Sequence, residues 1–319
     1  MSFLNNAVTQ ASVTELGNLF LSVTGGSVSY VGAAATIAQL GDVGQGIAGR
    51  SFTSVNAALS SANVVSGRGD VIYLLPGYTE SIATADAWSG LGSKTDVTII
   101  GMGHRTNRPT LTWTTATSSV LFDQANFRIL NCNLYLAGAH AAGAALTVTA
   151  PITASAAGWE ISDCDIFWGF DSDQIVTVGI TVSASGDFGS FNRNYCYAET
   201  AAVPTTTFLQ LTGADYLRIW DTKVQGAGST TTLAPVQFVT TASLGIDLRR
   251  SVFQNQLASS VHAVTGMAGL TGTTTDCGFG ILDNATLVGF VTPGSVQHIR
   301  GYTVNLAGEN GALLTPVSA

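Results

Sequence analysis

Asp163 and Asp165, in "EISDCDIF", stand two residues apart, and so do Asp171 and Asp173, in "GFDSDQ". Two carboxylates held about 5 to 10 Å apart are what hydrolysis of a glycosidic bond requires, one as acid and the other as base or nucleophile. On a strand, positions i and i+2 share a face, so Asp163 and Asp165 could act together. The flanks of that pair recur elsewhere in the chain, which favours turn residues that hold backbone N–H groups. Asp215 and Asp221, around "YLRIWD", read the same way. "GMGHRTNRP" gathers His104, Arg105 and Arg108, a set that could hold a phosphate or a sugar acid. Those residues equally suit the loop that ends a strand.

The other histidines, His140, His262 and His298, are isolated from one another and lack metal-ligand spacing. Cys132, Cys164, Cys196 and Cys277 are widely spaced with no C-x-x-C, so they read as free, buried, small apolar side chains. "GSVSYVGAAATIAQLG" contains neither G-x-x-x-x-G-K nor a convincing G-x-G-x-x-G. The expectation from these residues is a chain with no catalytic residue, no metal and no cofactor, and therefore not an enzyme.

The elements that would position these residues can be read from composition and rhythm. Only 10% of the 319 residues are charged, where about 25% is usual. Lysine occurs twice, at Lys94 and Lys223, so the polar surface is mostly Thr, Ser, Asn and Gln. That mixture suits pleated sheets, and also a surface covered by neighbours. A net charge of −8 speaks against nucleic acid, which needs a cationic face. No apolar run reaches the roughly 18 residues of a membrane span, and "MSFLNNAVTQ" lacks the basic start of a signal peptide. The expected site of synthesis is a cytoplasm.

The strongest signal is self-similarity. "FRILNCNLY" at 127, "WEISDCDIF" at 159 and "FNRNYCY" at 191 are followed by "LRIWDTKV", "IDLRRSVF", "TTTDCGF" and "VQHIRGYTV". Aligned on Cys132, Cys164, Asn194, Thr222, Ser251, Cys277 and Gly301, the gaps are 32, 30, 28, 29, 26 and 24 residues. "VIYLLPG" at 71 and "VTIIGMG" at 97 extend the rhythm upstream. A second apolar run separates the anchors: "AALTVTA", "IVTVGITVS", "TTFLQLTG", "PVQFVTT", "VHAVTGMAG" and "LVGFVTPG". Repeats of this length, built of short strands without a helix, predict a parallel β-solenoid. Inward residues of each coil would stack on those of the next, about 4.8 Å away.

"TSVNAALSSA", residues 53 to 62, sets Val55, Ala58, Leu59 and Ala62 on one helical face, with Ser51 or Thr53 as N-cap. This helix is expected to cap the first coil. The predicted organisation is an N-terminal arm over 1–50, a β-helix over 51–301 and a tail over 302–319. Phe3, Leu4, Leu19, Phe20 and Leu21 in the arm, with Leu313 and Leu314 in the tail, are candidate contacts with a partner or another subunit. The arm residues could equally pack back on the solenoid.

"SFTSVNAALSSANVVSGRGDVIYLLPGYTESI", followed by "VTIIGMGHRTNRPTLTW", resembles the opening of right-handed parallel β-helix proteins of tailed bacteriophages. The resemblance covers roughly residues 50 to 113, and the later repeats are compatible with it. It implies an all-β, right-handed parallel β-helix with a short N-terminal capping helix. Among such proteins the chain looks most like capsid decoration, or cement, proteins. That implies a virion protein on the outer capsid surface, contacting the major capsid protein, forming a homotrimer, and binding neither nucleic acid nor membrane. The alternative is a tailspike-like β-helix that binds or cleaves polysaccharide.

Overall fold

The computed structural model describes residues 26–42, 50–137, 145–169, 174–198, 207–226, 234–255, 263–266, 268–281, 290–291, 295–305 and 312–313. Short strands of two to five residues alternate with tight bends and build three parallel sheets, A, B and C. Sheet A runs from Val28–Val31 through Val71–Leu74, Thr98–Gly101 and Arg128–Leu130 to Ser295–Ile299. Sheet B begins at Thr79–Ile82, and sheet C at Val120–Phe122. Successive strands of each sheet come from successive coils, which makes the chain a parallel β-solenoid. Among the described pairings only Ala312–Leu313, laid on Tyr302–Asn305, is antiparallel.

Register explains the residue choice. In sheet A, Ile72, Ile99, Ile129, Ile161 and Ile219 occupy one inward column, shared with Phe191 and Leu248. All are buried in one continuous core. The strand is apolar at alternate positions because those positions fill the lumen, where each side chain meets its counterpart on the next coil.

From Asn131 onward, each described coil turns from sheet A to sheet B through a single left-handed residue. Asn131, Asp163, Arg193, Asp221, Arg250, Asp276 and Arg300 have φ between 46° and 58°. The bend therefore falls one residue before the anchors aligned in the sequence, which correct to inward positions just past the bend. Cys132, Cys164, Asn194, Thr222, Ser251 and Cys277 are all buried there. The polar members form a ladder. Cys164 N–H donates to Asn194 Oδ1 (2.9 Å), Asn194 N–H to Thr222 Oγ1 (3.3 Å), and Thr222 N–H to Ser251 Oγ (3.1 Å). Backbone N–H groups that the bend takes out of the sheet are satisfied by the side chain of the next coil, as buried donors must be.

Two further expectations are adjusted. "AALTVTA" does not belong to sheet C: Leu146–Val148 pairs with Gln174–Val176 in a separate two-stranded sheet, and Ile152–Ala154 supplies the sheet C strand. Near the start, Val28–Val31 is a rung of sheet A between Ser51–Phe52 and Val71–Leu74, so strands of the stack lie on both sides of the 51–301 span. Helix α1, Ala34–Asp42, follows that first rung.

Helix α2 spans Val55–Ser60, with Ser54 as N-cap in place of Ser51 or Thr53; Ser54 Oγ accepts Ala57 N–H at 3.2 Å. Its buried face, Val55, Ala58 and Leu59, packs near the strands at 28–31 and 51–52. The turn at Pro76-Gly77 takes Gly77 to φ 72°, a conformation suited to glycine. It delivers Glu80 to an inward position, where the carboxylate accepts Val55 N–H (2.9 Å), Tyr78 O–H (2.6 Å) and Trp88 Nε1–H (3.4 Å). Tyr78 and Glu80 thus tie the second sheet to the start of α2. No helix among the described residues is long and apolar enough to cross a membrane.

Candidate functional site

A second series of left-handed residues recurs one or two places before the sheet A strands. Asp96, Asn126, Gly158, Phe188, Tyr216 and Gly245 have φ of 60°, 59°, 74°, 57°, 57° and 64°. They form the corner between sheets C and A, and their N–H groups continue the ladder: Asn126 to Ala157 O (2.9 Å), Phe188 to Asp215 O (2.9 Å), Tyr216 to Leu244 O (2.8 Å). Asp187 and Asp215 brace the same corner through Oδ1, accepting the N–H of Asp215 and of Leu244, each at 2.7 Å. Asp215 is thus a turn residue, as its sequence context suggests.

Glycine, Asp and Asn enter the left-handed region readily, whereas large aromatic residues are outliers there, at a cost of about 1–3 kcal/mol each. Phe188 and Tyr216 nevertheless occupy it, and they are 60% and 52% exposed. Their rings stack at 5.1 Å with 10° between planes. Burial does not explain them. Gly158 on one side carries no side chain, and on the other the Tyr216 ring lies over Gly245, where a Cβ would meet it at 2.8 Å, so the stacked pair forms a half-exposed ridge with exposed Leu244 beside it.

Earlier coils place an open trough of about 270 Å³ beside the same corner. Val71, Ile100 and Leu130 form its apolar floor; Asp96, Asn126 and Arg128 stand around it. Asn126 Nδ2 donates to Asp96 Oδ1 (2.7 Å) and Thr95 Oγ1 to Asp96 Oδ2 (2.9 Å), which fixes the carboxylate. Arg128 Nε is 3.8 Å from Glu160 Oε2 on the next coil, a loose pair on a half-exposed surface. Further along the outer face of sheet A, Trp220 lies between Arg218 and Arg249, whose guanidinium carbons are 5.7 and 4.9 Å from its ring centroid. Its Nε1–H donates to Asp247 at 3.2 Å. The face is thus a lane: an apolar-floored trough with amide, carboxylate and guanidinium groups, then an aromatic ridge, then a caged tryptophan.

The residues singled out in the sequence fall elsewhere. Asp163 lies on the bend and Asp165 on the outer face of sheet B, so the strand rule that would align them does not apply across the corner. Asp163 pairs with Arg193 through both oxygens, each at 2.7 Å, and Asp165 with Arg108 at 2.8 Å. Arg108 is the member of "GMGHRTNRP" brought to a charged partner; His104 and Arg105 are exposed, in or beside a short 3-10 turn. Asp221 pairs with Arg250, which holds its carboxyl below the usual range. His298 points inward, its Nδ1 2.8 Å from Thr274 Oγ1, and burial lowers its pKa. All four cysteines are free and buried; burial pushes the Cys164 thiol up to about 12 and that of Cys277 to about 11. Such thiols are unreactive. Asp171, Asp173, His140, His262, Phe3, Leu4, Leu19, Phe20, Leu21 and Leu314 lie outside the described residues, as does the side chain of Leu313 in the strand Ala312–Leu313.

Among the described residues no group of three His, Cys, Asp or Glu side chains is placed to hold a metal ion. The lane escaped the sequence reading because the alignment tracked one corner only. A signal was present: Asp, Asn or Gly stands two residues before several sheet A strands, and Phe188 and Tyr216 break that pattern.

No protein-family profile matches the chain, and no curated protein is similar to it. Among solved structures it is similar to a rhamnogalacturonan lyase, with 12% identity, 89% of each chain covered and a TM-score of 0.41. That finding corrects one expectation. A solved structure similar to this chain is an enzyme, so the inference from scattered carboxylates to a non-enzyme is withdrawn. At this identity and TM-score the likeness assigns neither a substrate nor a reaction to this chain.

Proposed function

We propose that this β-solenoid binds an extended glycan along the outer face of sheet A, from the trough at Asp96, Asn126 and Arg128 to the ridge of Phe188 and Tyr216. The observation that carries the reading is the ridge: two large aromatic side chains kept in a strained backbone conformation and left in water. Strain retained at an exposed place points to use of that place. Sugars offer apolar C–H faces for aromatic surfaces and hydroxyls for the planar amide, carboxylate and guanidinium groups of the trough. Rungs about 4.8 Å apart give a rigid, periodic floor, so a polymer loses little to ordering of the protein.

The test is affinity electrophoresis of the full chain against a panel of bacterial and plant polysaccharides, with reducing ends and unsaturated products measured in the same samples. Phe188→Asn combined with Tyr216→Asn should weaken retention about tenfold or more, the effect of losing roughly 1.4 kcal/mol. Equal retention of variant and parent, or no retention of either on any polysaccharide, would overturn the reading.

A second reading is favoured by one observation, the likeness of residues 50 to 113 to phage β-helix openings. In it the chain decorates the outer surface of a capsid and contacts the major capsid protein. Sparse charge supports it, since contact surfaces are depleted of charge at their cores. Co-sedimentation with intact particles at a copy number that tracks the capsid lattice would favour this reading; recovery only as free protein would remove it.

A further inference from the structure

The other edge of sheet A carries a different surface. Along the corner between sheets A and B, consecutive coils present Asp163, Arg193, Asp221, Arg250, Asp276 and Arg300. The signs alternate along the whole run. Within the chain the residues pair two by two: Arg193 with Asp163, Arg250 with Asp221 (2.6 and 2.7 Å) and Arg300 with Asp276 (2.5 and 2.8 Å). Each pair uses Nε and Nη2 of the arginine and leaves Nη1 outside it. The arginine side chains are 54%, 58% and 72% exposed.

An order of minus, plus, minus, plus, minus, plus becomes its own complement when reversed. Two copies of the ridge laid antiparallel oppose Asp163 to Arg300, Arg193 to Asp276 and Asp221 to Arg250, opposite charges at every rung. Laid parallel in the same register, like would meet like. The ends of the ridge carry a second feature. Tyr195, beside Arg193, is 44% exposed; Ile299 and Tyr302, on either side of Arg300, are 38% and 41% exposed. The same antiparallel arrangement brings Tyr195 of one copy to within about a rung of Ile299 and Tyr302 of the other, because the two ends of the ridge exchange places.

We infer that this corner is a twofold interface between two copies of the chain, with its axis passing between the coils of Asp221 and Arg250. A twofold contact uses one self-complementary patch on both partners. The inference rests on other residues than the glycan reading, whose trough and aromatic ridge flank the C–A corner, although the two surfaces adjoin where Trp220 and Arg249 directly precede Asp221 and Arg250. It replaces the threefold assembly implied by the phage resemblance. Because the charges are exposed, their attraction is screened by salt, and the apolar ends supply the part that is not.

Sedimentation of the full chain tests it. At about 50 mM salt a dimer is expected, with the dissociation constant rising roughly tenfold or more by about 500 mM, where the Debye length falls below half its low-salt value. The decisive variant exchanges all three pairs: Asp163→Arg, Arg193→Asp, Asp221→Arg, Arg250→Asp, Asp276→Arg and Arg300→Asp. Both residue types already occupy these bends, so the internal pairs and the fold are kept. The exchanged chain should dimerise with itself yet exclude the parent chain when the two are mixed with distinct labels. A monomer at low salt, a trimer, or free mixing of exchanged and parent chains would each overturn the inference.

Discussion

Glu80 joins three elements through one carboxylate: the N–H of Val55 at the start of α2, the hydroxyl of Tyr78 and the indole of Trp88. Removing it strands these donors in a part-buried place, so Glu80→Ala should lower stability by about 1–3 kcal/mol. Denaturant titration checks this, and a change under a few tenths of a kcal/mol would mean that water replaces the carboxylate. Phe188 and Tyr216 give the opposite sign. Asparagine tolerates left-handed backbone, so Phe188→Asn and Tyr216→Asn should hold or raise stability by up to about 1 kcal/mol. A clear loss of stability would show that the stacked rings belong to the fold. The buried thiols should not react with a thiol reagent in the native protein and should all become reactive on unfolding.

At the scale of elements, the ladder behind the A–B bend satisfies the chain where it leaves the sheet. Asn194 both accepts Cys164 N–H and donates to Ile161 O (2.8 Å), so Asn194→Ala should cost about 1–3 kcal/mol, chiefly by leaving the buried Cys164 N–H without its acceptor. His298 gives the last described coils a pH dependence. Its folded pKa is lowered by burial, so the neutral ring belongs to the folded state and its proton to the unfolded one. Stability is full above the unfolded value of about 6.5 and falls as pH drops below it, levelling off once the folded pKa is passed. His298→Gln should flatten that part of the stability–pH curve. The arginine-paired Asp221 and Asp276, with lowered pKa values, lose their contribution only at more acidic pH, below the ordinary carboxylate value.

Over the whole molecule, each coil touches chiefly the coils before and after it, so damage should spread by neighbours. Phe253 stacks on Phe279 of the next coil with centroids 5.6 Å apart, and Phe253→Ala should cost about 3–5 kcal/mol. Hydrogen exchange should show the loss of protection centred on the strands within 246–255 and on those of the coils before and after, within 218–226 and 271–281, with the first sheet A rungs least affected. Uniform loss along the chain would mean a single cooperative unit.

The solenoid itself was legible in the amino-acid order, because inward residues recur once per coil and that recurrence is a property of the chain alone. The apolar columns of sheet A and the buried cysteines were visible for this reason, and the short helix near 55 through its own helical spacing. The bend one residue before Cys132 was not, since its left-handed backbone accepts Asn, Asp and even Arg and leaves a weak mark on composition. Nor was the fate of Asp163 and Asp165, two residues apart in sequence but separated by a corner. The trough, the ridge of Phe188 and Tyr216, and the alternating charges from Asp163 to Arg300 exist only once coils are stacked: their members are some thirty residues apart in the chain and one rung apart in space. Sequence determines what each coil buries; stacking decides what neighbouring coils jointly show to the outside.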